Sequence, residues 1–305
     1  DNEGISLSNA YYTIQADFQK NKGSFFDENH RTNPFQYGYV GKYDVHKAPF
    51  YFHQEDEVTG KNVYTYVGAF DTAVDFTSGT ANPLITRYTE IYYDNNQPTT
   101  LTDILLGGGF RNGDFGFSQN IITYSMYYNP GYPYPSYGND NTDQYGMRFD
   151  ASFDLQGRVG KELSKHAIQF GFEYQQRVQR SYSVNPISLW TLGRQFSNSH
   201  LQNLDLQNPY YLINGDTIHY TQYQGPVGDS DTIFYYPEFG EGAQYHFDAA
   251  VREKLGMPVN GLEYINIDGL DPEFFELEMF SPSELLNSGN RLVSTLGYDY
   301  YGNKF

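Results

Sequence analysis

The chain has no cysteine in its 305 residues. A disulfide scaffold, a thiolate metal site and a cysteine nucleophile are therefore excluded. Basic residues are scarce: 19 Lys and Arg stand against 37 Asp and Glu, a formal charge of −18. Such a chain repels phosphate backbones, so no nucleic-acid partner is expected. An acidic surface fits sugars, cations, cationic peptides or plain solubility. No apolar run approaches the length of a membrane helix. Barrel strands never show such runs, so membrane residence stays open. The first residues, Asp1-Asn2-Glu3-Gly4, lack an initiator Met and the basic and apolar regions of a signal peptide. A start at Asp1 and an end at Phe305 without tails are what a piece of a longer protein would show. Catalytic signatures are missing too. There is no Gly-x-Ser-x-Gly and no His-Glu-x-x-His, and Gly160-Lys161 runs into Glu162, where a phosphate-binding loop needs Ser or Thr. Gly107-Gly108-Gly109 reads as a tight turn and not as a dinucleotide fingerprint, since no strand leads into it.

Aromatic residues are abundant. They make up 18% of the chain, as 31 Tyr and 23 Phe, a load that suits strands and excludes a disordered chain. The 30 Gly and 14 Pro are spread out and mark many turns. The clearest pattern spans 147 to 178. Met147, Phe149, Ala151, Phe153 and Leu155 alternate with Arg148, Asp150, Ser152, Asp154 and Gln156. After a polar turn, Ile168, Phe170, Phe172 and Tyr174 alternate with Gln169, Gly171, Glu173 and Gln175. Both runs predict two-faced strands of an antiparallel hairpin. Tyr12, Ile14, Ala16 and Phe18 predict a third strand of the same kind.

The intervening segments are too long to be structureless. Val63 to Val67, Ile85 to Tyr93 and Phe117 to Tyr128 predict short strands. Thr102 to Leu106 before the three glycines predicts a helical turn with a Thr cap. Tyr132-Pro133-Tyr134-Pro135 should be extended. Asn185-Pro186 opens a helical stretch through Leu189, Leu192 and Phe196. Asn214-Gly215 predicts the tip of a hairpin over Tyr210 to Tyr220. Phe247, Val251 and Leu255 before Gly256 predict a short amphipathic helix. Ser281-Pro282-Ser283-Glu284 is a capping box, and Arg291 to Tyr301 returns toward strand. Short connections on one side and very long ones on the other are the asymmetry of outer-membrane barrels. A soluble sandwich turns every 8 to 12 residues or so.

Several phrases carry a family resemblance. They are Tyr37-Gly38-Tyr39-Val40-Gly41-Lys42, Leu106-Gly107-Gly108-Gly109, and Phe170-Gly171-Phe172-Glu173-Tyr174-Gln175-Gln176-Arg177. Asn185 to Leu192 (NPISLWTL), Met279 to Asn290 (MFSPSELLNSGN) and Gly297 to Lys304 (GYDYYGNK) continue the series. The sequence resembles part of the barrel of a TonB-dependent outer-membrane receptor. The branch concerned carries an N-terminal carboxypeptidase-regulatory-like domain ahead of its plug. The resemblance implies a 22-stranded, plug-filled barrel in the bacterial outer membrane, with import energised through TonB. No TonB box, plug or closing strand is found here, so the chain would supply about three strands and two surface loops. The implied fold class is all-β: antiparallel strands of a partial transmembrane barrel, with long structured extracellular loops containing short helices. Residues 1–20 would be a barrel strand, 21–146 an extracellular region, 147–178 a barrel hairpin with its periplasmic turn at 157–165, and 179–305 a second extracellular region. The implied partners are the remainder of the barrel and plug, the TonB complex through parts absent here, outer-membrane lipid and a surface lipoprotein. Met147, Phe149, Phe153, Leu155, Ile168, Phe170 and Phe172 would then face lipid. A stand-alone acidic all-β glycan-binding or adhesin module is the alternative, and a secreted hydrolase a third.

Candidate sites follow from residue type. Tyr124, Tyr127, Tyr128, Tyr132, Tyr134 and Tyr137 are the densest tyrosine group and would stack on a ligand, unless they pack the loop region's own core or form a rim at the membrane interface. Trp190, the single Trp, is a second ligand candidate, although helical spacing with Ile187 and Arg194 points to core. Asn266, Asp268, Asp271 and Glu273, continued by Glu276 and Glu278, are candidate calcium ligands without full EF-hand spacing. Solvation, or contact with divalent ions near lipopolysaccharide, is the plainer reading. His46, His53, Glu55, Asp56 and Glu57 form a second candidate cluster, more simply read as a solvated loop. No catalytic residue and no other cofactor is expected, although an acid/base pair among so many carboxylates is not excluded by counting.

Overall fold

The computed structural model describes residues 5–114, 131–159, 162–201, 203–286 and 292–305. The chain is 43% strand and 22% helix, so helices serve as fittings around sheets. The sheets are mainly antiparallel, and among the described residues they form no closed barrel. Two compact units divide the chain.

The first unit comprises residues 1–25, 138–183 and 294–305. Its sheet has the order β1 (Ser6–Phe25), β4 (Tyr137–Val159), β5 (Glu162–Val184) and β11 (Val293–Leu296). β1 and β4 are antiparallel, with Ile14 opposite Phe149, Ala16 opposite Met147 and Phe18 opposite Tyr145. Directly opposed residues share a face, so the alternations of the two strands coincide. Across to β5, the Phe170 ring lies 5.9 Å from Phe149 and 6.4 Å from Phe153. Two positions beyond Phe18 and Tyr145 on this face, Lys20 opposes Asp143. Asp143 also pairs with Arg180 at 3.2 Å. The polar face carries its own pairs: Lys165 with Asp154 at 3.2 Å and Arg148 with Asp150 at 2.7 Å.

The second unit comprises residues 26–137 and 184–293. Its largest feature is the hairpin of β2 (Gly41–Glu55) and β3 (Asn62–Ser78). Only 63–67 of it was expected as strand. Register shifts at His46/Lys47 and Phe50/Tyr51 interrupt the pairing, and each bulge breaks the period of two that a sequence pattern needs. β9 (Thr232–Phe234) runs parallel to β3 and antiparallel to β7 (Tyr210–Ile213), which pairs with β8 (Asp216–His219). The β7–β8 tip carries Asn214 at φ 51° and Gly215 at φ 93°, the left-handed pair that a type I′ turn requires. β6 (Asn203–Leu204) and β10 (Pro237–Glu238) form a separate two-stranded pair.

Residues 85–93 are not a strand but lie in α1 (Pro83–Asn95). Their β-branched and aromatic content misleads, because tertiary burial overrides propensity. Ile85, Thr86 and Thr89 are buried on one side, and both threonine hydroxyls donate to carbonyls, of Val40 and Phe110 respectively. α2 (Leu101–Leu106) is capped by Thr100, not Thr102, in a capping box with Asp103. α3 (Leu189–Phe196), α4 (His246–Leu255) and α5 (Pro282–Leu286) surround an aromatic core. In it Phe35, Trp190, Phe247 and Phe280 are each 0% exposed. Phe247 stacks on Phe280 at 4.2 Å, and Phe35 on Phe275 at 4.5 Å. Leu255 is partly exposed at the end of α4, where Gly256 takes φ 72° and closes the helix. At α5, Ser281 N–H donates to Glu284 and Glu284 N–H to the Ser281 hydroxyl, as the capping box predicts. The strand expected over 117–128 falls outside the described residues.

Candidate functional site

The second unit carries an open polar cleft of about 620 Å³. The segment before β2 supplies Asn29, His30, Gln36 and Tyr39, and the start of β2 supplies Lys42. The turn from β3 into α1 supplies Thr77 to Ala81 and Pro83, and the segment after α4 supplies Asp271, Pro272 and Glu273. Opposed side chains meet across it. Lys42 Nζ lies 2.9 Å from Asp271, and Gln36 Nε2 donates to Glu273 at 2.8 Å. His30 is held by Asn82 Oδ1 at 2.9 Å, and Asn82 Nδ2 donates to the carbonyls of Gln36 and Tyr39. One buried asparagine thereby joins the segment before β2 to the start of α1.

The cleft rests on Tyr39, which stacks on Trp190 at 5.7 Å. Trp190 in turn donates its indole N–H to the Phe35 carbonyl at 2.8 Å and packs edge-on against Phe35 and Phe275. Gly38 permits this approach. A Cβ there would lie 2.6 Å from the Ile187 carbonyl and 2.9 Å from the Trp190 ring. Burial, with the charges of Asp271 and Glu273 behind it, pushes the Tyr39 phenol up to about 12. The phenol therefore stays neutral at physiological pH and can donate. Its proton is held in the native state above the ordinary value of 10.0. The stability this contributes is complete below pH 10 and lost as pH rises through about 12. Urea midpoints should fall across that interval, and Tyr39→Phe should flatten the fall. An unchanged profile in Tyr39→Phe would assign the loss to other groups.

A buried ion pair lies in the same unit. Asp268 is 1% exposed and accepts from Arg194 at 2.8 Å and Asn112 at 3.0 Å. Burial raises its pKa, while Arg194 and Asn112 oppose the rise. Asn112 also accepts from the N–H groups of Val40 and Gly41 through Oδ1, and donates to the Gly41 carbonyl. The pair thus fixes the start of β2, from which Lys42 projects.

The four candidate calcium ligands are each engaged by a different partner. Asp268 is engaged by Arg194, Asn266 donates to the Tyr43 carbonyl, Asp271 pairs with Lys42 and Glu273 accepts from Gln36. Four groups turned to four separate partners do not converge on an ion, and among the described residues no group of three or more His, Asp or Glu could hold one. The second candidate cluster is likewise dispersed. His46 pairs with Asp75 at 2.7 Å, His53 contacts the Asp229 carbonyl, and Asp56 binds the Thr59 turn and the Tyr235 hydroxyl. Trp190 is not a ligand platform, since its ring is wholly enclosed by core aromatics. Of the tyrosine group, Tyr124, Tyr127 and Tyr128 lie outside the described residues. Tyr137 is buried, 5.8 Å from Tyr37, and belongs to packing. Tyr132 is half-buried, and Tyr134 is 52% exposed.

The cleft residues Gln36, Tyr39 and Lys42 had no sequence signal as a site. They meet Asp271 and Glu273 only through folding, across more than two hundred residues. Comparison of the chain with family models, curated proteins and solved structures gives no match in any of the three.

Proposed function

We propose that the chain is part of a TonB-dependent outer-membrane receptor that binds a ligand at the cell surface and gates its energised import, without chemistry on that ligand. In this reading the first unit is a segment of barrel wall and the second an extracellular region. The observation that carries it is the solvent exposure of an apolar sheet face. Tyr12 is 74% exposed, Ile14 62%, Phe18 58%, Phe170 52% and Phe172 59%. A sheet of soluble protein buries at least one face against another layer. A barrel wall turns that face to lipid.

The height of the apolar face supports the same reading. It runs from Leu7 opposite Leu155 to Phe18 opposite Tyr145. Ten steps of β4 at about 3.4 Å span roughly 34 Å along the strand. Tilted by about 40°, they rise roughly 26 Å, close to the height of about 25 Å for the apolar band of a barrel. Phe18 and Tyr145, whose rings lie 5.0 Å apart, would sit at its rim, where aromatic girdles form. The charged group of Lys20, Asp143 and Arg180 begins just beyond. Met147, Phe149, Phe153, Leu155 and Ile168 fall inside the band. The opposite, ion-paired face would line the lumen.

The protein should partition with outer membranes and need detergent to become monodisperse. Recovery as a cooperatively melting monomer without detergent would reject the barrel reading and favour a stand-alone module.

A further inference from the structure

The five-stranded sheet of the second unit presents two different faces. On one, Val63, Thr65, Tyr211 and Ile233 are buried. On the other, each strand contributes one ring to a lateral row, in which Tyr66 is buried and Tyr51, Phe234, Tyr210 and His219 are half-buried. Tyr51 of β2 opposes Tyr66 of β3, and Phe234 of β9 opposes Tyr210 of β7, which opposes His219 of β8. In three of the four neighbouring pairs of the row the centroids lie 5.6, 4.7 and 5.3 Å apart, for Tyr51–Tyr66, Tyr66–Phe234 and Tyr210–His219. Tyr236 leans against both Phe234 at 4.9 Å and Tyr210 at 5.1 Å. The next row on the same face is His53, Tyr64, Thr232, Leu212 and Thr217. Tyr64 and Tyr236 are each 44% exposed.

We propose that this face is a binding platform for a neutral oligosaccharide lying across the strands. Three observations carry the assignment. The first is the row itself. Strands about 4.8 Å apart repeat at nearly the length of one pyranose unit, so a sugar chain crossing the sheet meets about one aromatic position per strand. The second is the state of the hydroxyls. Those of Tyr51, Tyr64, Tyr66 and Tyr210 have no hydrogen-bond partner among the described residues, and none is sealed from solvent. Phenols beside apolar ring surface match the alternating C–H faces and hydroxyl edges of a sugar. The third is charge. Neither row contains Lys, Arg, Asp or Glu in a chain of net charge −18. An anionic ligand would find no counter-charge here, and a cationic one no carboxylate within the rows. The platform does not depend on whether the first unit sits in lipid, so the two readings fail separately.

The test is isothermal titration of the full chain with neutral hexasaccharides of glucose, mannose and xylose. At least one should bind, and its affinity should change little with added salt. Tyr64→Ala combined with Tyr236→Ala should weaken it at least tenfold. Phe52→Ala, an exposed ring at the neighbouring position of β2 that lies outside both rows, should leave it unchanged. Circular dichroism and a thermal melt establish that each variant is folded. If the double variant unfolds, Tyr64→Phe and Tyr236→Phe replace it, and their retention of binding with loss of only the hydroxyl contribution supports the platform. Absence of binding to every hexasaccharide, equal binding by folded wild type and double variant, or binding abolished by salt would overturn it.

Discussion

Phe170→Arg should abolish assembly of the protein into the outer membrane, whereas Gln169→Glu, one residue away, should be tolerated. The two side chains occupy opposite faces of β5, because successive residues of a strand point to opposite sides. Phe170 is 52% exposed and touches Phe149 and Phe153. It lies within the apolar band, away from the Lys20, Asp143 and Arg180 group at its edge. A guanidinium near the midplane of a barrel wall costs about 2–4 kcal/mol. Phe153→Arg should act in the same way, and Asp154→Asn should be tolerated, since an amide can still accept from Asn9, which now donates to Asp154 at 2.8 Å. The measurement is heat-modifiable migration and surface labelling of each variant in outer-membrane fractions. Equal assembly of both sets would remove lipid contact from the account. Stability in water cannot substitute for this readout, because an added charge on a solvated face costs little.

Trp190→Ala should unfold the second unit or leave it marginal. The side chain is fully buried between Phe35, Tyr39 and Phe275. Truncating a buried Trp costs about 3–5 kcal/mol through lost contacts and the cavity left behind. The Phe35 carbonyl would lose its indole donor as well, which adds about 1 kcal/mol or more. Trp190→Phe should cost less, since it keeps ring contact and loses mainly the hydrogen bond. Urea unfolding followed by far-ultraviolet circular dichroism, with limited proteolysis to locate the change, separates these outcomes. A loss below about 1 kcal/mol for Trp190→Ala would show that the core repacks without its largest ring. The cleft should disappear with the core, because Tyr39 is supported from below by that ring.

The long strands of the first unit were legible in the residues because each keeps strict alternation over many positions. A period of two sustained that far has one structural solution. The Asn214-Gly215 hairpin tip and the Ser281 capping box were legible for a local reason: their chemistry acts within four residues. α1 was not. Its Ile, Thr and Tyr content favours strand, and only burial of Ile85, Thr86 and Thr89, with the two hydroxyls satisfied by carbonyls of Val40 and Phe110, makes a helix the lower-energy state.

The same division separates what the sequence determined from what required the tertiary structure. Composition and alternation alone established a cysteine-free, acidic, aromatic-rich sheet protein with an apolar and a charged face on its long strands. They could not say where an isolated carboxylate or ring would go. Asp268 was a candidate calcium ligand beside the plainer reading of solvation, and folding placed Arg194 against it; Trp190, whose spacing pointed to core, packs against Phe35, Tyr39 and Phe275. The aromatic row across β2, β3, β9, β7 and β8 draws its rings from two distant stretches of the chain, 51–66 and 210–234. Strand order and register decide such a row, and no window of sequence contains either.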